Sequence, residues 1–457
     1  MLTTTIAAIS TPAGKGGIGI VRISGPDAFE ITEKVFFPMK KQKIGDMPGY
    51  TACLGTVRDI KGNRIDQAIL LCFRAPKSYT GEDVLEIQCH GGEAVTENIL
   101  RAVYDAGAEP AGKGEFTRRA FLNGRISLTE AEAVMELINA VSSDGEKAAA
   151  SLAEGSLAQK TEELKKQLLD IQTQIAAEID FPEEDVDEAD RDLLEKEIGS
   201  VSSELAELLS GYEAGQKLLR GVPAAIVGSP NVGKSTLLNL FAGFDRAIVS
   251  SEAGTTRDIL EERVTIGGVP LLLADTAGIR EKAGGEIEKI GITRAKKRLE
   301  QSSLILAVFD QGRPLSDDDR ALIEEMKDRP VLVILNKGDL EEKIEKDEIY
   351  RVFPHVVEIS AKEEGALQQL SEAVTAFLGV ARFDSDAPLL ANERQRQCAV
   401  RAKAAVDEAL NSLKNQITLD VCYALLDEAL ACLYELSGEN ASEEVINAVF
   451  ENFCVGK

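Results

Sequence analysis

Apolar positions along this chain follow different rhythms in different stretches. Over residues 1–120 they form short runs bounded by Gly, Pro and polar turns: Ile6-Ala7-Ala8-Ile9, Gly19-Ile20-Val21-Arg22-Ile23, Ala68-Ile69-Leu70-Leu71-Cys72-Phe73 and Val84-Leu85-Glu86-Ile87. Such runs predict mixed, strand-rich structure. Arg22 and Glu86 are charges inside otherwise apolar strands. Period-2 alternation points both to solvent; the other reading is a pair of ligand-binding charges in a pocket. From Ser127 the rhythm turns helical. Thr129-Glu130-Ala131-Glu132 has the form of a capping box. Leu157, Leu164, Leu168, Ile171, Ile175 and Ile179 then recur at helical spacing until Phe181-Pro182 stops them. After a solvated acidic stretch, Glu183 to Glu188, a second stripe follows in Leu194, Ile198, Val201, Leu205 and Leu208. Over 217–381 the apolar positions gather into continuous blocks, Ala224-Ala225-Ile226-Val227, Leu271-Leu272-Leu273-Ala274, Val331-Leu332-Val333-Ile334-Leu335 and Val356-Val357-Glu358-Ile359, as buried strands do. Helical patterns resume over 392–413, 419–436 and 445–453. Neither helical stretch is long enough to bury its stripes alone. The expected fold is therefore multidomain, α+β and α/β: an α+β domain over 1–120, a helical domain in two parts over 121–216 and 382–457, and a doubly wound domain inserted over 217–381.

Composition narrows the function. The 457 residues suit two to four domains. A net charge of -26, from 77 acidic and 51 basic residues, is unfavourable for a chain that grips nucleic acid by itself, so any RNA substrate is expected to be held by a partner. The seven cysteines are scattered without CxxC spacing, and His90 and His355 are the histidines; structural zinc and a disulfide framework are not expected. Residues 2–10 are apolar but follow no charged segment, and no run is long enough to span a membrane, so a cytoplasmic chain is expected.

The chemistry centres on Gly228-Ser229-Pro230-Asn231-Val232-Gly233-Lys234-Ser235, an apolar strand pattern before it and a helical pattern after it. Glycines there let backbone N–H groups turn inward around phosphate oxygens, and the helix N-terminus adds its dipole. Lys234 is placed for the β- and γ-phosphates and Ser235 for Mg²⁺. Asp275-Thr276-Ala277-Gly278, Asn336-Lys337-Gly338-Asp339 and Ser360-Ala361-Lys362 each follow a strand pattern, where doubly wound sheets hold ligands. Asp275 suits Mg²⁺ through water. Asp339 can accept from guanine N1–H and the 2-amino group, a donor pair adenine lacks, so the nucleotide is expected to be GTP. Thr256, in Gly254-Thr255-Thr256-Arg257-Asp258, is placed to close on Mg²⁺ and the γ-phosphate. Ile279 stands where a Ras-like domain carries a water-orienting Gln, so charge and water need another manager. Asn231 offers a side-chain oxygen for a monovalent cation; its plainer reading is a turn residue. The candidate nucleotide set comprises Asn231, Val232, Gly233, Lys234, Ser235 and Thr236, then Ser250, Ser251, Glu252, Ala253, Gly254, Thr255 and Thr256, then Asp275, Thr276, Ala277 and Gly278, then Asn336, Lys337, Asp339, Ser360 and Ala361.

With Thr11-Pro12-Ala13-Gly14-Lys15-Gly16-Gly17-Ile18-Gly19, Ser78-Tyr79-Thr80-Gly81-Glu82-Asp83-Val84, His90-Gly91-Gly92, Gly114-Glu115-Phe116-Thr117, Arg119 to Arg125 and a Cys454-Val455-Gly456-Lys457 end, the chain resembles the MnmE (TrmE) family of tRNA modification GTPases over essentially its whole length. The resemblance implies an N-terminal folate-binding and dimerisation domain similar to that of aminomethyltransferases, a helical domain and an inserted G domain. It implies a K⁺-dependent, Mg²⁺-dependent GTP hydrolase. With a flavoprotein partner, MnmG (GidA), which brings FAD, such an enzyme adds an aminomethyl or carboxymethylaminomethyl group at C5 of the wobble uridine of certain tRNAs. Methylene-tetrahydrofolate supplies the carbon, and 5-formyl-tetrahydrofolate is its analogue. Arg22, Glu86, Arg125 and Lys457 become folate-site residues, which reverses the solvent reading of Arg22 and Glu86. Asn231, Ser250, Glu252 and Thr255 fall at the K⁺ positions, Ser235 and Thr256 at Mg²⁺, and Glu288 at the acidic residue that orients water. The surrounding segment is one residue longer here, which keeps Glu286 a candidate. Lys113-Gly114 replaces the usual Pro-Gly. Cys454 near the end of an apolar helix reads as inert core; the resemblance points it to the folate site in a nucleophilic or positioning role, with Lys457 able to lower its pKa. The competing class is a regulatory or ribosome-assembly GTPase of the Era or Der type.

Overall fold

The computed structural model describes residues 4–180, 188–242, 261–274, 300, 302–381, 384 and 386–457. They divide into two compact units, one of Met1–Met135, Thr161–Asp170 and Leu426–Lys457, the other of Glu136–Lys160 and Ile171–Leu425.

In the first unit β1 (Ile6–Ile9), β2 (Ile18–Ser24), β3 (Phe36–Pro38), β4 (Thr51–Arg58), β5 (Arg64–Phe73), β6 (Val84–His90) and β7 (Glu109–Pro110) form a sheet in the order β3-β4-β5-β6-β2-β1-β7. All neighbours are antiparallel save β1 and β7. The strands are two-sided. Val21, Ile23, Leu70, Cys72, Leu85 and Ile87 enter a core with residues of the helices Ala28–Val35 and Glu93–Asp105. On the opposite face Ile6 and Ala8 meet Phe116, from the helix Glu115–Leu122. Farther along, Leu128, Ala131, Phe450 and Phe453 form a separate cluster.

The helix Leu128–Asn139 corrects one expectation. Its capping box is Ser127 and Glu130, not Thr129 and Glu132: Ser127 N–H donates to Glu130 Oε2 at 2.7 Å and Glu130 N–H to Ser127 Oγ at 3.2 Å. Both pairs have the same spacing; the earlier serine takes the cap because its own N–H and hydroxyl close the reciprocal pair.

In the second unit β8 (Val222–Val227), β9 (Glu261–Ile266), β10 (Val269–Ala274), β11 (Leu304–Asp310), β12 (Val331–Asn336) and β13 (Val356–Glu358) run in the order β13-β12-β11-β8-β10-β9. β9 alone is antiparallel among these described strands. Alternate residues of β11 and β12 feed cores on both faces. Leu304, Leu306, Val308, Leu332 and Ile334 join one, and Ile305, Ala307, Phe309, Val331, Val333 and Leu335 the other. This is the doubly wound sheet that the apolar blocks predict. β9 and β11 add strands that those blocks do not include. The helix Glu393–Lys414 packs along Glu188–Ser210, so segments that precede and follow this sheet in the chain share one interface. Among the described residues no helix is long and apolar enough to cross a membrane.

Candidate functional site

β8 runs out into Gly228, whose φ of +149° and position explain the residue: a Cβ would stand 2.3 Å from the Val308 carbonyl oxygen. Asn231 adopts φ +65°, a left-handed conformation that asparagine tolerates better than most residues. Val232 is buried and anchors the loop. At Gly233, φ +106°, a Cβ would lie 2.1 Å from Asn336 Nδ2. The helix Lys234–Ala242 starts there, with Ser235 and Thr236 exposed in its first turn. The Lys234 ammonium curls back over the loop and donates to the Gly228 and Ser229 carbonyls at 2.7 and 2.8 Å. Burial pushes its pKa down, which a bound phosphate would reverse.

Asn336, at the end of β12, fastens two loops. Its Nδ2 donates to the Val232 carbonyl at 2.9 Å and its Oδ1 accepts from Ala361 N–H at 3.0 Å. It is 2% exposed, so both bonds are shielded from water. Asp339 Oδ1 accepts from Ser360 Oγ at 2.8 Å, and that bond holds its carboxyl below the usual range. Lys337 pairs with Asp310 at 2.5 Å. Phosphate loop, guanine-type loop and Ser360-Ala361 thus converge at the carboxyl ends of β8, β12 and β13. Ser250 to Thr256, Asp275 to Gly278, Glu286 and Glu288 lie outside the described residues.

In the first unit Arg22 and Glu86 are cross-strand partners on β2 and β6, and Arg22 Nε donates to Glu86 Oε1 at 2.8 Å. Their side chains are 18% and 13% exposed, so period-2 alternation alone misplaces them: they leave the main core but meet other cover. That cover is aromatic. The Arg22 guanidinium lies 5.5 Å from the Phe116 ring centre and 5.7 Å from that of Tyr79. Tyr79 Oη and Thr117 Oγ1 are 2.8 Å apart, and burial pushes the phenol pKa up. Arg125 is exposed, with its stem beside Gly81; a Cβ on Gly81 would stand 3.1 Å from Arg125 Cγ. The C-terminal tail is tied to the same unit by backbone: Gly114 N–H donates to the Cys454 carbonyl at 3.2 Å, Phe116 N–H to the Lys457 carbonyl at 3.1 Å, and Ser10 Oγ to the Gly456 carbonyl at 3.0 Å. Gly456 has φ +98° and sits where a Cβ would be 2.2 Å from the Ile9 carbonyl oxygen. Lys113, where the resemblance leads one to expect proline, pairs with Val455 in an isolated bridge and reaches the Glu451 carbonyl. Cys454 is exposed.

Sequence comparison bears on both units. The N-terminus model of GTP-binding protein TrmE matches residues 5–125, and the MnmE helical domain model matches 128–454. A tRNA modification GTPase MnmE from Natranaerobius thermophilus is 38% identical over 100% of both chains, and one from Lactobacillus acidophilus is 39% identical over 99% of this chain and 98% of its own. The chain belongs to the MnmE family. The MnmE helical-domain match brackets the whole nucleotide sheet, as an inserted domain requires. The FeoB G-domain from Methanococcus jannaschii aligns with 35% of this chain and 98% of its own at 24% identity and a TM-score of 0.25.

Within this MnmE-family chain the structure adds candidate site residues that the sequence does not single out. Tyr79 and Phe116 lie in the quoted motifs, but nothing in their spacing announces a cover for Arg22. Arg119 is fully buried between Glu82 and Glu115, at 3.1 and 2.9 Å, and fixes the helix that carries Phe116. Asp319, from the helix Asp317–Met326, touches the phosphate loop itself: its Oδ1 accepts from Ser229 Oγ at 2.5 Å. Burial alone would raise its pKa; bonds from Ser229, Arg313 and Ser316 outweigh that and bring it to about 2.

Proposed function

We propose that this chain is a GTP hydrolase that works in tRNA modification and couples its nucleotide cycle to one-carbon chemistry in the N-terminal unit. The observation that carries the nucleotide half is Asn336, which joins the loop that cradles phosphates to the loop beside Asp339. The backbone N–H groups of the loop and Lys234 hold the β- and γ-phosphates, and Asp339 accepts from guanine. Ser235 and Thr256 are the candidates for Mg²⁺. Asn231, Ser250, Glu252 and Thr255 are those for K⁺, which would supply positive charge beside the β/γ bridge in place of an arginine finger. Glu288, with Glu286 as its alternative, orients water.

The Arg22–Glu86 pair fits a folate: a carboxylate suits pterin N–H donors, while Arg125 and Lys457 suit the acidic tail. Bound methylene-tetrahydrofolate would supply the carbon. The chain's own part is to orient that ligand between Glu86 and the tail that ends in Lys457, with Cys454 in a nucleophilic or positioning role. The partners in this reading are a second copy of the chain, the flavoprotein MnmG (GidA) and tRNA held mainly by the flavoprotein, in the cytoplasm. Support for a second copy comes from Met39, just past β3, with Leu54 of β4 and Ile69 of β5, which lie in one row at 65%, 47% and 44% exposure, an apolar row that a twofold contact would cover. The competing Era- or Der-type reading does not account for the N-terminal match over residues 5–125.

The test is turnover of GTP, ATP and XTP in K⁺ and in Na⁺ salts. Asp339→Asn should move preference from GTP to XTP, because an amide donates where the carboxylate accepted. Hydrolysis should be faster in K⁺. An unmoved base preference overturns the guanine assignment, and equal turnover in both salts overturns the cation.

A further inference from the structure

We propose that Asp319 is a positioning residue for Lys234, acting through Ser229. The inference rests on the GTPase reading above. Asp319 lies at the third position of the helix Asp317–Met326, where it closes a capping box with Ser316. A capping box needs one carboxylate oxygen. Here Oδ2 serves the cap and its neighbour: it accepts from Ser316 N–H at 3.0 Å, from Ser316 Oγ at 2.7 Å and from Arg313 Nη1 at 2.7 Å. Oδ1 faces the other way and accepts from Ser229 Oγ at 2.5 Å, across 90 residues of sequence. The Asp319 side chain is 2% exposed, so water does not compete for that bond.

Ser229 is the second residue of the phosphate loop, and its backbone carbonyl is one of the two that hold the Lys234 ammonium. A single relay therefore leads from the Asp319 carboxylate through the Ser229 side chain and carbonyl to the lysine that meets the phosphates. Arg313 completes it by balancing the buried carboxylate, at 2.7 Å. The relay fixes one loop carbonyl in space, so the lysine starts from one place rather than several, and less ordering remains to be done when nucleotide arrives.

The test measures fluorescent GDP dissociation from the intact chain. Unmodified protein must bind GDP; if it does not, the GTPase reading fails rather than the relay. Ser229→Ala and Asp319→Ala should each weaken GDP binding about tenfold or more, by faster release, since each removes a buried charge-assisted bond. The double variant should lose little beyond either single one, because both cut the same link. Ser229→Thr, which keeps the hydroxyl, should retain affinity. Ser316→Ala removes the cap partner but not the link to the loop, so it should lower the melting temperature and leave GDP affinity unchanged. If Asp319→Ala does not fold, Ser229→Ala decides the matter alone. Unaltered GDP affinity in Ser229→Ala, additive losses in the double variant, or a loss in Ser316→Ala equal to that of Asp319→Ala would each reduce Asp319 to a helix cap.

Discussion

The two units build their candidate sites from different materials. In the parallel sheet the nucleotide site is made of backbone: glycines and an asparagine with positive φ shape one contiguous loop, and Asn336 clamps it. In the antiparallel sheet the candidate folate site is made of side chains, Arg22, Tyr79, Glu86 and Phe116, brought from separate strands, a loop and a helix. A backbone site depends on the absence of side chains at key positions. A side-chain site depends on their charge and shape. The first should therefore break when an atom is added, and the second when a group is taken away.

The largest effect should follow Gly233→Ala. Its new methyl would overlap Asn336 Nδ2, 2.1 Å away, at a φ of +106° that alanine resists. Strain plus the lost clamp should cost about 3 kcal/mol or more, roughly a hundredfold in GDP affinity, while binding of 5-formyl-tetrahydrofolate stays the same. Titration calorimetry with both ligands checks this; a folate loss of similar size would mean the two sites do not separate as described. Glu86→Ala is the converse. It should weaken folate binding by about 1.5–3 kcal/mol, roughly ten- to hundredfold, and leave GTP turnover unchanged. Unchanged folate affinity would return the Arg22–Glu86 pair to a structural role.

An effect comparable in size to that of Glu86→Ala should appear in acid. The Asp319 carboxyl is held at about 2, below its unfolded value, so its contribution to stability is complete above the unfolded pKa and disappears as the pH falls from about 4 toward 2. At neutral pH that contribution is about 2–3 kcal/mol. Urea titrations of unmodified protein and Asp319→Ala should differ by that amount at pH 7 and converge near pH 2. A constant gap would show that the variant loses packing rather than a charge.

The same contrast decides what could be read from the residues. The phosphate loop was legible because its glycines, lysine and asparagine are consecutive and each answers a geometric demand. The helical stripes were legible too: Leu194, Ile198, Val201, Leu205 and Leu208 are all buried. The cap of Leu128–Asn139 cannot be told from sequence, because two Ser/Thr–Glu pairs share one spacing and only hydrogen-bond geometry separates them. β9 opens Glu-Glu-Arg, a poor strand signature that its partner β10 overrides. Arg22 and Glu86 sit on the face that alternation assigns to solvent; what half-buries them is Phe116 and Tyr79, which no local pattern brings there. Asp319 was invisible for the same reason, since its partner lies 90 residues earlier.

Asn336 also sets a clock. Its partners lie 104 residues before it and 25 after it, so the chain emerging from a ribosome carries its phosphate loop for a long interval before the clamp exists, and the clamp closes only when Ala361 has followed. Contacts of such sequence separation form late. The nascent protein therefore has no complete nucleotide pocket until the last strand of its sheet has been synthesised, and GTP can stabilise the unit only after it has folded.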